Sequence, residues 1–263
     1  MKLFFRKYGE GHPLLILHGL FGQSDNWNTL SKKYGDNGYS VYVIDQRNHG
    51  LSPHSDKWNY SCMAEDLMEL IANEKLSAPL IMGHSMGGKT AMFFEAMFPG
   101  IASKLLIGDI SPRKYETKNT EVVEALLSID LDKIQSRKDA ENALSAFGLD
   151  FGTKQFLLKN LYRTENPEPG SALFNWRFNL NVIGSQLGNI SEAVPLFKSE
   201  TPTLFLKGEN SDYILSADET EIRNRFINAE IISILGSGHW IHAEKPDQFF
   251  AATLAFMNKR RVN

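Results

Sequence analysis

The chain has 263 residues, 42% of them hydrophobic, and a formal net charge of −3. That is enough apolar material for one large domain, or one domain with an insertion, and it carries no basic footprint for nucleic acid. The single cysteine, Cys62, excludes a disulfide within the chain and reads as a buried, inert thiol.

No apolar run approaches the ~20 residues that span a bilayer. The N-terminal MKLFFRKYGEGHP reaches Arg6 and Lys7 before any long apolar stretch, so no signal peptide is expected. The expectation is a soluble, cytoplasmic protein. In chain order, KLFFRKYG (2–9) alternates apolar and polar residues and predicts an antiparallel edge strand. Six continuous apolar runs follow: LLILHG (14–19), VYVIDQ (41–46), PLIMGHS (79–85), KLLIGDIS (104–111), TLFLKGE (203–209) and EIISILG (230–236). Continuous rather than alternating runs are the mark of strands covered on both faces. Helical patterns lie around 27–34, 61–74, 86–98, 217–228 and 247–259. Ser216 with Glu219 has the form of a capping box, and Pro246 suits the first turn of the last helix. Strand–helix alternation of this kind predicts an α/β fold with a mostly parallel, doubly wound sheet.

The alternation breaks between about 112 and 200. EVVEALLSI, AENALSAFG and KQFLLKNLYR read as helices, Ser136 with Asp139 offers a capping box, and ENPEPG reads as a turn before FNWRFNL. The expected organisation is a core in two parts, 1–111 and 201–263, with a helical insertion, 112–200, over the carboxyl ends of the strands.

Three motifs carry chemistry. Gly83-His84-Ser85-Met86-Gly87 sits between a strand and a helix. Glycines at those places let strand and helix approach closely at a sharp turn that exposes the Ser85 hydroxyl, and the helix N-terminus offers N–H groups to a developing oxyanion. The Met86 N–H is the first candidate donor, and the Leu20 N–H, in His18-Gly19-Leu20-Phe21-Gly22, is the second. Gly236-Ser237-Gly238-His239 follows the last strand run and supplies His239 as candidate base. His18 and His84 read as structural neighbours of these turns. His239 and His242 lack the i,i+4 spacing of a helical zinc pair and no third ligand is evident, so neither metal nor cofactor is expected. The acid stays open here: Asp212 in GENSDYI is a carboxylate in the turn after a strand, but Ser211 stands in the position where a G-x-x-D turn would have it.

HGLFGQSDNW, DQRNHGLSPHS, GHSMGGK, GENS with its following tyrosine, NWRFNL and GSGHWIHAEKP resemble, in this order, the YbfF-type esterases of the α/β-hydrolase superfamily. The resemblance covers residues 18 to 246; GHSMGG and the HG loop mark only the superfamily, whereas RNHGLSPHS with WRFNL is more specific. It implies a helical cap and hydrolysis of acyl esters or acyl-CoA thioesters. It also implies that an aspartate after the preceding strand serves as acid. In this chain that residue is Asp109, in LLIGDISP, with Ser211 supporting it and Asp212 in reserve.

Asp45-Gln46-Arg47-Asn48-His49-Gly50 reads as a polar turn braced by Asp45 and Arg47, with a minor catalytic alternative for His49. Trp176 and Arg177 are the substrate-binding candidates in the insertion; an internal ion pair is the favoured alternative for Arg177. The expected function is a serine hydrolase of small-molecule esters or thioesters. The competing readings are a C–C bond hydrolase or lyase of the same fold and a non-catalytic ligand-binding relative. The oligomeric state is left open.

Overall fold

The computed structural model describes residues 1–116, 119–165 and 171–259. The first half runs β1 (Phe5–Tyr8), β2 (His12–Leu17), α1 (Asn28–Gly35), β3 (Tyr39–Ile44), α2 (Tyr60–Asn73), β4 (Leu80–His84), α3 (Met86–Met97) and β5 (Lys104–Gly108). Between β5 and the next strand of the main sheet come α4 (Thr120–Leu127), α5 (Arg137–Ser145), α6 (Phe151–Leu158), a small hairpin of β6 (Leu161–Arg163) and β7 (Phe174–Trp176), and α7 (Leu180–Ser185). The chain then returns through β8 (Thr203–Gly208), α8 (Asp218–Arg225), β9 (Ala229–Ile234), α9 (Ile241–Glu244) and α10 (Pro246–Asn258).

Among the described residues the main sheet has seven strands in the order β1-β3-β2-β4-β5-β8-β9, all parallel except β1, which pairs antiparallel with β3 at one edge. The continuous apolar runs are explained by two cores. Leu15, Leu17, Ile81, Leu105 and Ile107 face one side, where α2, α3 and α8 pack. Leu14, Ile16, Leu80, Met82 and Leu106 face the other, where α1 and α10 pack. Successive side chains point to opposite faces, so a strand buried on both faces has no polar alternation. Val123, Leu144, Leu157 and Ile183 from the segment between β5 and β8 join the first core, which fastens that segment to the sheet.

Local signals hold in most places. Ser136 and Asp139 make the reciprocal capping box of α5, and Pro246 opens α10. Two expectations need correction. Ser216 does not cap α8; the cap position is Ala217. Glu219 is drawn instead into an ion pair with Lys207 at 2.7 Å, and Asp218 accepts from the Leu215 N–H at 2.8 Å. KQFLLKNLYR is not helical to its end, because α6 stops at Leu158 and Leu161–Arg163 pairs with Phe174–Trp176. The turn expected at ENPEPG falls on 166–170, outside the described residues.

Candidate active site

The site begins at the sharp turn between β4 and α3. Ser85 has φ 53° and ψ −119°, a conformation that the surrounding structure must hold in place. Its N–H donates to the Gly108 carbonyl at 2.8 Å. The neighbours demand glycine: a Cβ on Gly83 would lie 2.2 Å from the Gly87 carbonyl, and one on Gly87 would lie 2.3 Å from the Leu17 carbonyl oxygen. The Met86 N–H opens α3, where first-turn amides have no intrahelical acceptor. Across the same hollow is the 18–22 loop. It is pinned by three bonds: Gln46 N–H to His18 Nε2 at 3.0 Å, Phe21 N–H to His49 Nε2 at 3.3 Å, and Asn160 Nδ2 to the Phe21 carbonyl at 2.8 Å. Burial keeps His18 and His49 neutral, with pKa values lowered to about 4 and about 3. Both therefore serve as acceptors that hold this loop, and His49 belongs to its scaffold.

His239 reaches the site from the loop after β9. Its Nδ1 lies 2.7 Å from Asp109 Oδ2. The Asp109 carboxylate is fully buried at the end of β5; its Oδ1 accepts from the Gly208 N–H at 2.9 Å and its Oδ2 also accepts from the Ser211 hydroxyl. Asp212 is exposed, and Asp109, not Asp212, occupies Nδ1. The 236–240 loop passes tightly over β8: a Cβ on Gly208 would sit 2.1 Å from the Gly238 carbonyl oxygen. Glu244 secures the loop from below, accepting from the Gly238 N–H at 2.8 Å and the Trp240 N–H at 3.1 Å.

Aromatic rings frame the imidazole. Tyr213 stacks on His239 with centroids 3.8 Å apart and planes 17° apart. His84 approaches on another side, its Nε2–H donating to the His239 carbonyl at 2.7 Å. Burial, and then the neighbouring imidazoles His242 and His239, hold His84 well below its ordinary pKa, so it is a neutral donor rather than a base. His242 lies 4.5 Å beyond His84 and stacks on Trp27 at 4.3 Å. The sequence gives Tyr213, the tyrosine of the GENS segment, no role at the site. The signal was present as the aromatic residue two places after Ser211, but nothing local aims its ring at His239.

A family model described as the alpha/beta hydrolase family matches residues 14–253. The chain belongs to that family. It is 33% identical to Esterase YbfF of Escherichia coli, over 94% of this chain and 93% of that protein, and it stands with the YbfF-type esterases. It is 36% identical to the sn-1-specific diacylglycerol lipase ABHD11 of Mus musculus, over 93% of this chain and 80% of that protein. A solved structure titled as a marine microorganism esterase superposes with a TM-score of 0.93 at 42% identity, covering 97% of this chain and 99% of that one. The protein is thus a hydrolase of the ester-cleaving type.

In this hydrolase Ser85, Leu20 and His239 line a cavity of about 310 Å3, walled by apolar groups that include Phe156, Leu157 and Trp240. Trp176 and Arg177 are not among its walls. Trp176 is buried and stacks on Phe178 at 5.2 Å, and Phe178 packs edge-on against Phe21. Arg177 lies over the Tyr162 ring at 4.8 Å, and among the described residues it has no acidic partner within ion-pair distance. Arg177 thus makes a stacking contact within the insertion, away from the cavity walls. The hairpin geometry of β6 and β7 is the reason, since it turns these side chains onto their own hairpin and the loop behind the site. Arg47 binds Asp66 through two nitrogens, at 2.6 and 2.9 Å, and braces its turn as expected. Among the described residues no group of three or more His, Cys, Asp or Glu is placed to hold a metal ion, and no helix is long and apolar enough to cross a membrane.

Proposed function

We propose that the hydrolase cleaves small-molecule carboxylic esters, and acyl thioesters by the same steps, through an acyl-enzyme on Ser85. The observation that carries this reading is the 2.7 Å contact between His239 Nδ1 and the buried Asp109 carboxylate, beside a serine on a strand-to-helix turn facing the same cavity. A carboxylate on Nδ1 fixes the tautomer that leaves Nε2 free to accept a proton, and it stabilises the imidazolium that forms. In the first half-reaction the Ser85 proton passes to His239 as Oγ bonds to the acyl carbon. The carbonyl oxygen takes up the negative charge, supported by the N–H groups of Leu20 and Met86. As the carbon–oxygen or carbon–sulfur bond to the leaving group breaks, His239 returns the proton to the departing alcohol or thiol. In the second, water gives its proton to His239 as its oxygen bonds to the acyl carbon, and His239 returns that proton to Ser85 Oγ as the acyl–oxygen bond breaks and the acid leaves.

Ser211 supports Asp109 by donating to the same oxygen as His239, and residues 112–200 act as a cap over the reacting groups. The names of the curated relatives, an esterase and a lipase, favour esters as the substrate class. The test is hydrolysis of p-nitrophenyl acetate and butyrate together with labelling by a fluorophosphonate probe. Wild type should show both and Ser85→Ala neither. A Ser85→Ala protein with full activity would overturn the proposal.

A further inference from the structure

Two hollows meet at Ser85. The larger, of about 310 Å3, includes His239, Trp27, Phe156 and Trp240 in its walls. The smaller, of about 50 Å3, is walled by Tyr60, Met86, Ile110, Tyr115 and Ile190 and does not include His239. Resting on the reaction proposed above, we propose that the smaller hollow is the acyl subsite and the larger cavity the leaving-group subsite. The preferred substrates are then esters or thioesters that join a short, uncharged acid to a bulky apolar alcohol or thiol.

The assignment follows from the tetrahedral carbon. Of its four substituents one is Ser85 Oγ and one is the oxyanion, held at the Leu20 and Met86 N–H groups. The leaving heteroatom must receive a proton from His239, because an alkoxide is a poor leaving group, so it lies on the side of the imidazole. Only the larger cavity has His239 in its wall. The acyl tail takes the remaining direction, away from His239 and past Met86.

The small hollow restricts what that tail can be. At about 50 Å3 it has roughly a sixth of the volume of the larger cavity, about 310 Å3. Its walls are also fastened. The Tyr60 hydroxyl donates to the Ile190 carbonyl at 2.8 Å, and the Tyr115 hydroxyl donates to the Tyr213 carbonyl at 2.5 Å while accepting from the Ser111 N–H at 2.8 Å. The walls mix ring faces and aliphatic carbons with the polar groups of Asn119 and Ser191, and among the described residues there Glu116 is the charged one. An anionic acyl end would meet that carboxylate. The larger cavity, lined by Val122, Phe156 and Leu157, suits an extended apolar group.

Two substrate series test the inference on the intact protein. In p-nitrophenyl esters with acyl chains from acetate to dodecanoate, kcat/KM should be highest at two to four carbons and fall about tenfold or more by octanoate, as expected for overfilling a packed pocket. In acetate esters of alcohols from ethanol to octanol, kcat/KM should hold or rise. Ile190→Ala should shift the acyl optimum to longer chains with little change in the alcohol series, and Val122→Phe should depress the long-alcohol acetates selectively. An acyl series that rises to octanoate, or an alcohol series that collapses while the acyl series stays flat, overturns the subsite assignment but leaves the ester hydrolysis standing. Hydrolysis of no member of either series overturns the proposed function itself, and this inference with it.

Discussion

The Asp109 carboxylate accepts from two side chains on one oxygen: His239 Nδ1 at 2.7 Å and the Ser211 hydroxyl, while its other oxygen takes the Gly208 N–H at 2.9 Å. Asp109 stands at the end of β5 with φ 45°, and Ser211 in the turn after β8, the neighbouring strand. One carboxylate thereby ties two strand ends to the histidine loop. Asp109→Asn should lower kcat by about 10³–10⁴-fold with little change in KM, because an amide in that position favours the wrong imidazole tautomer. Asp212→Asn should stay within about threefold of wild type, since its carboxylate is exposed and Nδ1 is already occupied. Steady-state kinetics on p-nitrophenyl butyrate check both. An Asp212→Asn loss as deep as that of Asp109→Asn would contradict the assignment.

Ser211→Ala removes one donor from the Asp109 oxygen that His239 also uses. A hydrogen bond to a charged group is worth about 1.5–3 kcal/mol, and without it the carboxylate is held less firmly against His239. The expected result is a fall in kcat of about threefold to tenfold with KM nearly constant. Steady-state kinetics on p-nitrophenyl butyrate read this directly, and a Ser211→Ala protein with the wild-type kcat would deny Ser211 a supporting role.

His84 donates from Nε2 to the His239 carbonyl at 2.7 Å and is therefore a positioning residue that acts through the loop backbone. His84→Phe keeps an aromatic ring between His239 and His242 but removes the donor. The expected result is a fall in kcat of about tenfold or more with KM nearly constant, since small misplacements of a base are costly to chemistry rather than to binding. Equal losses in kcat and fluorophosphonate labelling would agree; a change in KM alone would not.

Burial keeps His18, His49 and His242 neutral, with pKa values lowered to about 4, about 3 and about 3. Unfolded, each titrates near its ordinary 6.5, so below that pH the unfolded chain binds more protons than the folded one. Stability is fully present above pH 6.5 and is lost as the pH falls toward these folded values. The cost approaches about 1.4 kcal/mol per pH unit for each imidazole once well below 6.5. Urea unfolding midpoints should therefore be nearly flat from pH 8 to 7 and decline steeply between pH 6 and 4. A midpoint unchanged from pH 7 to 4.5 would show that these rings are accessible to protons in the folded state.

Much of the fold was legible because the signals are local. A strand buried on both faces needs an unbroken apolar run, and Leu14–Leu17 and Leu105–Ile107 supply it to the two cores. A strand-to-helix turn as tight as that at Ser85 needs glycine at 83 and 87, and the close contacts with Gly87 and Leu17 explain why. Local signals failed where tertiary partners outbid them. Glu219 had the right spacing to cap with Ser216 but pairs with Lys207 instead. Trp176 and Arg177 looked like pocket residues, but the pairing of β6 with β7 turns them onto Phe178 and Tyr162.

The sequence by itself determined the parallel sheet, the glycine-bounded turn that exposes Ser85, the 18–22 loop and the histidine loop. Each depends on backbone freedom and side-chain burial within a few consecutive residues. The residues alone left the acid open, the resemblance implied Asp109, and the tertiary structure brings the Asp109 carboxylate to His239. Asp109 and His239 are 130 positions apart in the chain, and they meet because β5 and β8 are neighbours in the sheet and the histidine loop crosses the end of β8 at Gly208. No pattern along the chain encodes that adjacency. It is set by strand order and by two glycine backbones, at 208 and 238, packed closer than a side chain would permit.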